Sequence, residues 1–167
     1  MREASDHFAA GLQALGVRKG DRVALLLPNS PQFIIAYYGI LKVGAVIVPL
    51  NPLYTERELT FHLSDSGAET IVTIPLFLEK VTALIGSTPL KRVIVSRIAD
   101  FLPFPLSLGS SMQERRQMRG IDTGKLIKFG SLLKQTLPKD WQPEPVSPDD
   151  MAVLIYSGGT TGAAKGI

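Results

Sequence analysis

Short apolar runs recur along this chain at Arg22–Leu27, Ala45–Pro49, Glu69–Ile74 and Lys91–Ser96, and helical periodicity fills the gaps between them. A strand that reads as a near-continuous apolar run is buried on both faces, and strands separated by helices pair in parallel. The pattern therefore predicts an α/β fold, a layered and mostly parallel sheet flanked by helices. No short internal repeat accounts for the alternation.

Local signals set the expected boundaries. Phe8, Ala9, Leu12 and Leu15 share a helical face, and Gly16 follows as a C-terminal cap. Lys19-Gly20-Asp21 makes a turn into the first strand. Ser30 before Pro31 reads as an N-cap followed by proline at the first helical position, opening a helix that reaches Val43. Thr55-Glu56-Arg57-Glu58 has the spacing of a capping box. It opens a helix to about Ser66, with Leu59, Leu63 and His62 on one face and Gly67 closing it. A further helix is expected over 76–85, and a last strand over 151–156.

Composition excludes several classes. With 45% apolar and 20% charged residues in 167, the chain can bury a sizeable core, and disorder throughout is excluded. The net charge of +3 gives no concentrated basic face of the kind nucleic acid requires. The absence of cysteine removes disulfides, thiolate metal sites and a cysteine nucleophile. His7 and His62 are too far apart for a metal motif, and we assign no metal ligand. The apolar stretch from Phe33 to Leu50 is interrupted by Lys42 and contains Gly39, Gly44 and Pro49, so it reads as two buried elements rather than a membrane span. The polar start, Met1 to His7, lacks the apolar core of a secretion signal, and the expected location is cytoplasmic.

From 96 to 148 the alternation is lost, and an irregular basic insertion and linker is expected there. Phe101 to Leu106 is apolar but broken by Pro103 and Pro105, after which Arg115, Arg116, Arg119, Lys125, Lys128 and Lys134 accumulate. Two readings stay open: peripheral contact of 98–134 with the inner face of a membrane, or an ordinary excursion packed on the domain. The lack of a clean amphipathic face favours the second. Trp141 to Pro148 reads as an extended connector.

The chemistry is concentrated in 151–167, read as a strand plus a phosphate-binding loop. Tyr156-Ser157-Gly158-Gly159-Thr160-Thr161-Gly162-Ala163-Ala164-Lys165-Gly166 combines glycines, hydroxyls and a lysine. Glycines let main-chain N–H groups approach an anion, the hydroxyls of Ser157, Thr160 and Thr161 donate hydrogen bonds, and Lys165 adds positive charge. The segment fails the Walker pattern, because Lys165 follows Ala164 and no hydroxyl follows the lysine.

The segment resembles the phosphate-binding motif Y-T-S-G-T-T-G-x-P-K-G of the AMP-forming, adenylate-forming acyl-CoA synthetase superfamily. Tyr156, Gly159, Thr160, Thr161, Gly162, Lys165 and Gly166 match, and Ser157 is a conservative hydroxyl substitute. Gly158 stands where serine is usual and Ala164 where proline is usual. Both departures are similar to bacterial long-chain fatty-acid CoA ligases. Lys19 to Ala24, Leu27 to Ser30, Gly39 to Ala45, Asn51 to Leu59 and Asp65 to Ala68 also resemble the family upstream of the motif.

The resemblance implies that 1–167 is the front part of a large N-terminal adenylation domain, with the C-terminal domain absent. It implies a ligase that joins a fatty acid to ATP, forming acyl-adenylate and pyrophosphate, and then passes the acyl group to CoA. ATP and CoA are the implied co-substrates, with Mg2+ accompanying ATP. The implied catalytic residues are Thr161 and Lys165, within a nucleotide-binding set of Tyr156, Ser157, Gly158, Gly159, Thr160, Thr161, Gly162, Lys165 and Gly166. The 167 residues alone are expected to be inactive, because one wall of a pocket gives little burial. Two alternatives remain: an adenylate-forming ligase for another carboxylic acid, or a non-catalytic α/β fragment that binds a membrane or partner.

Overall fold

The computed structural model describes residues 1–101, 106–122, 124, 126–157 and 165–166. Helix α1 (Arg2–Ala14) leads into strand β1 (Arg22–Leu26), α2 (Pro31–Lys42), β2 (Val46–Pro49), α3 (Glu56–Ser66) and β3 (Thr70–Thr73). A 3-10 turn at Pro75–Phe77 opens α4 (Leu78–Ala83), and β4 (Arg92–Val95) follows. Beyond it lie α5 (Leu106–Gln117), β5 (Leu126–Lys128) and α6 (Phe129–Leu132). The strands form one parallel sheet in the order β2-β1-β3-β4-β5. The chain leaves β1 toward β2, then crosses to β3 on the opposite side. This is a doubly wound arrangement.

Side-chain alternation along the strands builds the layers. Val23, Leu25, Ile47, Val72 and Ile94 belong to the core shared with Phe8 and Leu12 of α1, Ile35 and Ile40 of α2, and Phe129 of α6. Ala24, Leu26, Val48, Ile71, Val93 and Val95 belong to the core shared with Leu59 and Leu63 of α3 and with Leu78 and Val81 of α4. Neighbouring residues on one strand thus serve opposite layers, and both faces of the sheet are covered.

The expected helix signals take physical form. Ser30 Oγ accepts the Phe33 N–H at 3.3 Å, with Pro31 at the first helical position. The capping box closes both ways: Thr55 Oγ1 accepts the Glu58 N–H at 3.3 Å, and Glu58 Oε2 accepts the Thr55 N–H at 2.8 Å. The Thr55 N–H, and then the Thr55 hydroxyl, which donates to Glu58 Oε2 at 2.7 Å, hold the Glu58 carboxyl below its ordinary range. Gly67 ends α3 at φ +65°, a left-handed conformation that a Cβ disfavours. Among the described residues, no helix is long and apolar enough to cross a membrane.

The segment 96–148 departs from the irregular insertion expected of it. Helix α5 is anchored by Glu114, whose carboxylate accepts Arg97 Nε at 3.0 Å and the Ala99 N–H at 3.2 Å. Strand β5 then extends the sheet, pairing Leu126, Ile127 and Lys128 with Val93, Ile94 and Val95. An edge strand this short, with Lys128 inside it, carries too little apolar pattern to stand out from its neighbours. Arg115, Arg116 and Arg119 lie on the exposed side.

The connector is bound to the domain along its length. Trp141 Nε1 donates to Gln13 Oε1 at 2.9 Å, and the Glu144 N–H donates to the Lys42 carbonyl at 2.7 Å. Lys19 Nζ donates to the Pro145 carbonyl at 2.9 Å and pairs with Asp150 Oδ2 at 2.7 Å. The Lys19 bond, together with the Ser147 N–H, holds the Asp150 carboxyl below its ordinary value.

The strand expected over 151–156 is reduced to one parallel bridge beside β2. Ile47 donates its N–H to the Ala152 carbonyl at 3.0 Å and accepts the Leu154 N–H at 2.8 Å. The next outward-facing donor on β2 would come from position 49. That residue is Pro49, which has no N–H, so the ladder ends after one step.

Candidate functional site

Freed from the sheet after Leu154, the chain enters a hairpin. Strand β6 (Tyr156–Ser157) pairs antiparallel with β7 (Lys165–Gly166), setting Tyr156 opposite Gly166 and Ser157 opposite Lys165. The hairpin therefore brings together the two ends of the glycine-threonine segment. Of the candidate site residues, Gly158, Gly159, Thr160, Thr161 and Gly162 lie outside the described residues. Ser157, Lys165 and Gly166 are described by their backbone.

Tyr156 is the candidate whose side chain is described, and it packs on α3. The side chain is buried against α3, where Tyr156 Oη donates to Asp65 Oδ2 at 2.7 Å. Its ring lies 4.3 Å from the His62 ring and 6.3 Å, edge-on, from Phe61. The Tyr54 ring also lies 4.7 Å from that of His62. Burial, followed by the bond to Asp65, pushes the Tyr156 phenol up to about 12, so it remains a donor across the neutral range. A hydrogen bond to a charged acceptor contributes about 1.5–3 kcal/mol.

The sequence marks Asp65 only as part of a stretch that resembles the family, with no role at the site, and gives His62 only a packing role. The available signal was their spacing: three residues apart on a helix, the two are neighbours on its surface, His62 buried and Asp65 at the exposed margin.

His62 gives this corner a pH dependence. Burial holds the imidazole below its ordinary value of 6.5, against the opposing pull of Glu58 and Asp65. The unfolded chain then takes up a proton more readily than the folded one. The stabilisation is complete above pH 6.5 and is lost as pH falls through the folded value. The melting temperature is expected to decline as pH falls below about 6.5, the ordinary value of histidine. His62→Gln should flatten that decline; an unchanged slope in thermal melts of the variant would contradict this account.

The family model for AMP-binding enzymes matches residues 1–167. The chain belongs to that family. It is 39% identical over 170 aligned residues to a long-chain-fatty-acid–CoA ligase of Bacillus subtilis, covering 96% of this chain and 29% of that protein. It is 38% identical to the Haemophilus influenzae protein of the same name, covering 99% and 30%. This member of the family thus spans less than a third of the length of these relatives.

Solved structures repeat the pattern. A long-chain-fatty-acid-CoA ligase (FadD1) from Archaeoglobus fulgidus superposes with a TM-score of 0.74 at 28% identity, covering 99% of this chain and 28% of that one. The anthranilate CoA ligase AuaEII, in complex with anthranoyl-AMP, superposes with a TM-score of 0.77 at 26% identity, covering 99% and 28%. The five-stranded parallel sheet with its flanking helices is therefore part of the fold of adenylate-forming ligases.

Proposed function

We propose that the whole protein is a long-chain fatty-acid CoA ligase. The observation that carries this reading is the similarity, along nearly the entire chain, to bacterial ligases of that name. In the first half-reaction, a carboxylate oxygen of the fatty acid attacks the α-phosphorus of ATP. The bond to the bridging oxygen breaks and pyrophosphate leaves with its electron pair. In the second, the CoA thiol attacks the acyl carbonyl, AMP departs, and the thiol proton is released.

The chain's own contribution lies in the first step. Ser157, Thr160 and Thr161, with the main chain of Gly158, Gly159 and Gly162, hold the β- and γ-phosphates while charge builds on the leaving group, and Lys165 supplies compensating charge. Among the described residues, no three His, Asp or Glu side chains gather as a metal site. Magnesium would accompany ATP, and no residue of this chain is assigned to it.

The test is ATP–pyrophosphate exchange by the whole protein with a panel of carboxylic acids. Palmitate is expected to support exchange, and CoA to discharge the adenylate. The superposition on an anthranilate ligase favours a second reading, an adenylating enzyme for an aromatic acid. Exchange with anthranilate or benzoate but not palmitate would replace the first reading by the second.

A further inference from the structure

We infer that the face of α3 carrying His62 and Asp65 positions the glycine-threonine segment for phosphate, acting through Tyr156. The inference rests on reading 157–166 as the ATP phosphate-binding segment. Donors aimed at a developing charge are effective only when held in place before the reaction. The antiparallel pairing of β6 with β7 joins the ends of 158–164 to each other. It does not by itself join them to the domain.

Upstream, among the described residues, the main chain is bonded to the sheet through Ala152 and Leu154, and Pro49 ends the ladder. Tyr156 supplies the next attachment. Its Oη–Asp65 bond at 2.7 Å and its ring contact with His62 at 4.3 Å fix the first residue of the hairpin to α3. The support continues behind it. His62 contacts the rings of both Tyr156 and Tyr54, and the Tyr54 carbonyl accepts Lys80 Nζ of α4 at 2.8 Å. The hairpin is thus referred to two helices on one layer of the domain. A phenylalanine at 156 would satisfy the packing alone; the hydroxyl on the Asp65 carboxylate also fixes how the ring is turned.

Tyr156 and Asp65 are therefore positioning residues, and the test must separate placement from stability. In the whole enzyme, Tyr156→Phe keeps the ring stack and removes the hydrogen bond. It is expected to lower kcat for ATP–pyrophosphate exchange roughly 10-fold, as misplacement of donors does, with KM for palmitate unchanged. Thioester formation from supplied palmitoyl-adenylate and CoA should keep its wild-type rate, because pyrophosphate has already left. Asp65→Ala should repeat the defect, whereas Asp65→Asn, which keeps an acceptor oxygen, should restore most of the rate. Wild-type exchange in both Tyr156→Phe and Asp65→Ala would overturn the inference. So would equal losses in both half-reactions, which would mark the contact as structural only. A wild-type protein that exchanges with no acid would overturn the functional reading, and this inference with it.

Discussion

Alanine at position 161 is expected to slow adenylate formation by the whole enzyme about 100- to 1000-fold, the usual consequence of losing one pre-placed donor at a developing negative charge. The hydroxyl acts on the leaving pyrophosphate, so the loss should fall on the first half-reaction. Thioester formation from supplied acyl-adenylate should continue. Thr161→Ser retains the donor and is expected to retain most of the activity, which separates the hydroxyl from the methyl group. The melting temperature should stay near that of the wild type, because alanine keeps the Cβ and gives up only one hydroxyl and one methyl group. Rapid-quench measurement of pyrophosphate release reads the effect directly. Release at the wild-type rate from Thr161→Ala would remove the residue from the catalytic set.

The legible and illegible parts of the sequence differ in how much of their structure is local. Ser30 with Pro31, the Thr55–Glu58 box and Gly67 announce helix ends through contacts a few residues long, and each is present as expected. Strands β1 to β4 are buried on both faces, so their apolar runs are visible without knowing their neighbours. Strand β5 exists because β4 offers an open edge to Leu126 and Ile127, a fact about β4 rather than about 126–128. The expected strand at 151–156 fails for the converse reason. Its own apolar pattern is adequate, but its would-be partner β2 carries Pro49 where the next donor is needed. Chemistry at the site divides in the same way. The glycines, threonines and lysine could be named from one contiguous segment, whereas Asp65 and His62 act across the fold on Tyr156 and become visible only when α3 is packed against it.

Phe8→Ala is expected to cost about 3–5 kcal/mol of stability, the range for truncating a buried aromatic. Phe8 has no exposed surface and joins three helices: its ring lies 4.7 Å from that of Phe129 in α6, and it rests on α2 at Gly39. That approach requires a residue without a side chain. A Cβ at position 39 would come within 2.6 Å of Phe8 Cδ1 and 3.2 Å of the Ser5 carbonyl oxygen. Gly39→Ala alone should therefore destabilise through overpacking, by roughly 1–3 kcal/mol. Removing the Phe8 ring takes away the nearest of those clashes and leaves space beside Gly39, so the two substitutions must couple. The double variant should be more stable than the sum of the single losses allows, by at least about 0.5 kcal/mol, the lower end for residues in contact. Denaturant midpoints of the wild type, both single variants and the double variant complete the cycle. Strict additivity would show that α1 and α2 do not meet through this pair. Because Phe8 lies on the α1–α2 layer and Tyr156 on the α3–α4 layer, folded Phe8→Ala enzyme assayed well below its melting temperature should exchange pyrophosphate with an unchanged KM for ATP. A raised KM would mean that packing on one layer of the sheet reaches the phosphate segment through the other.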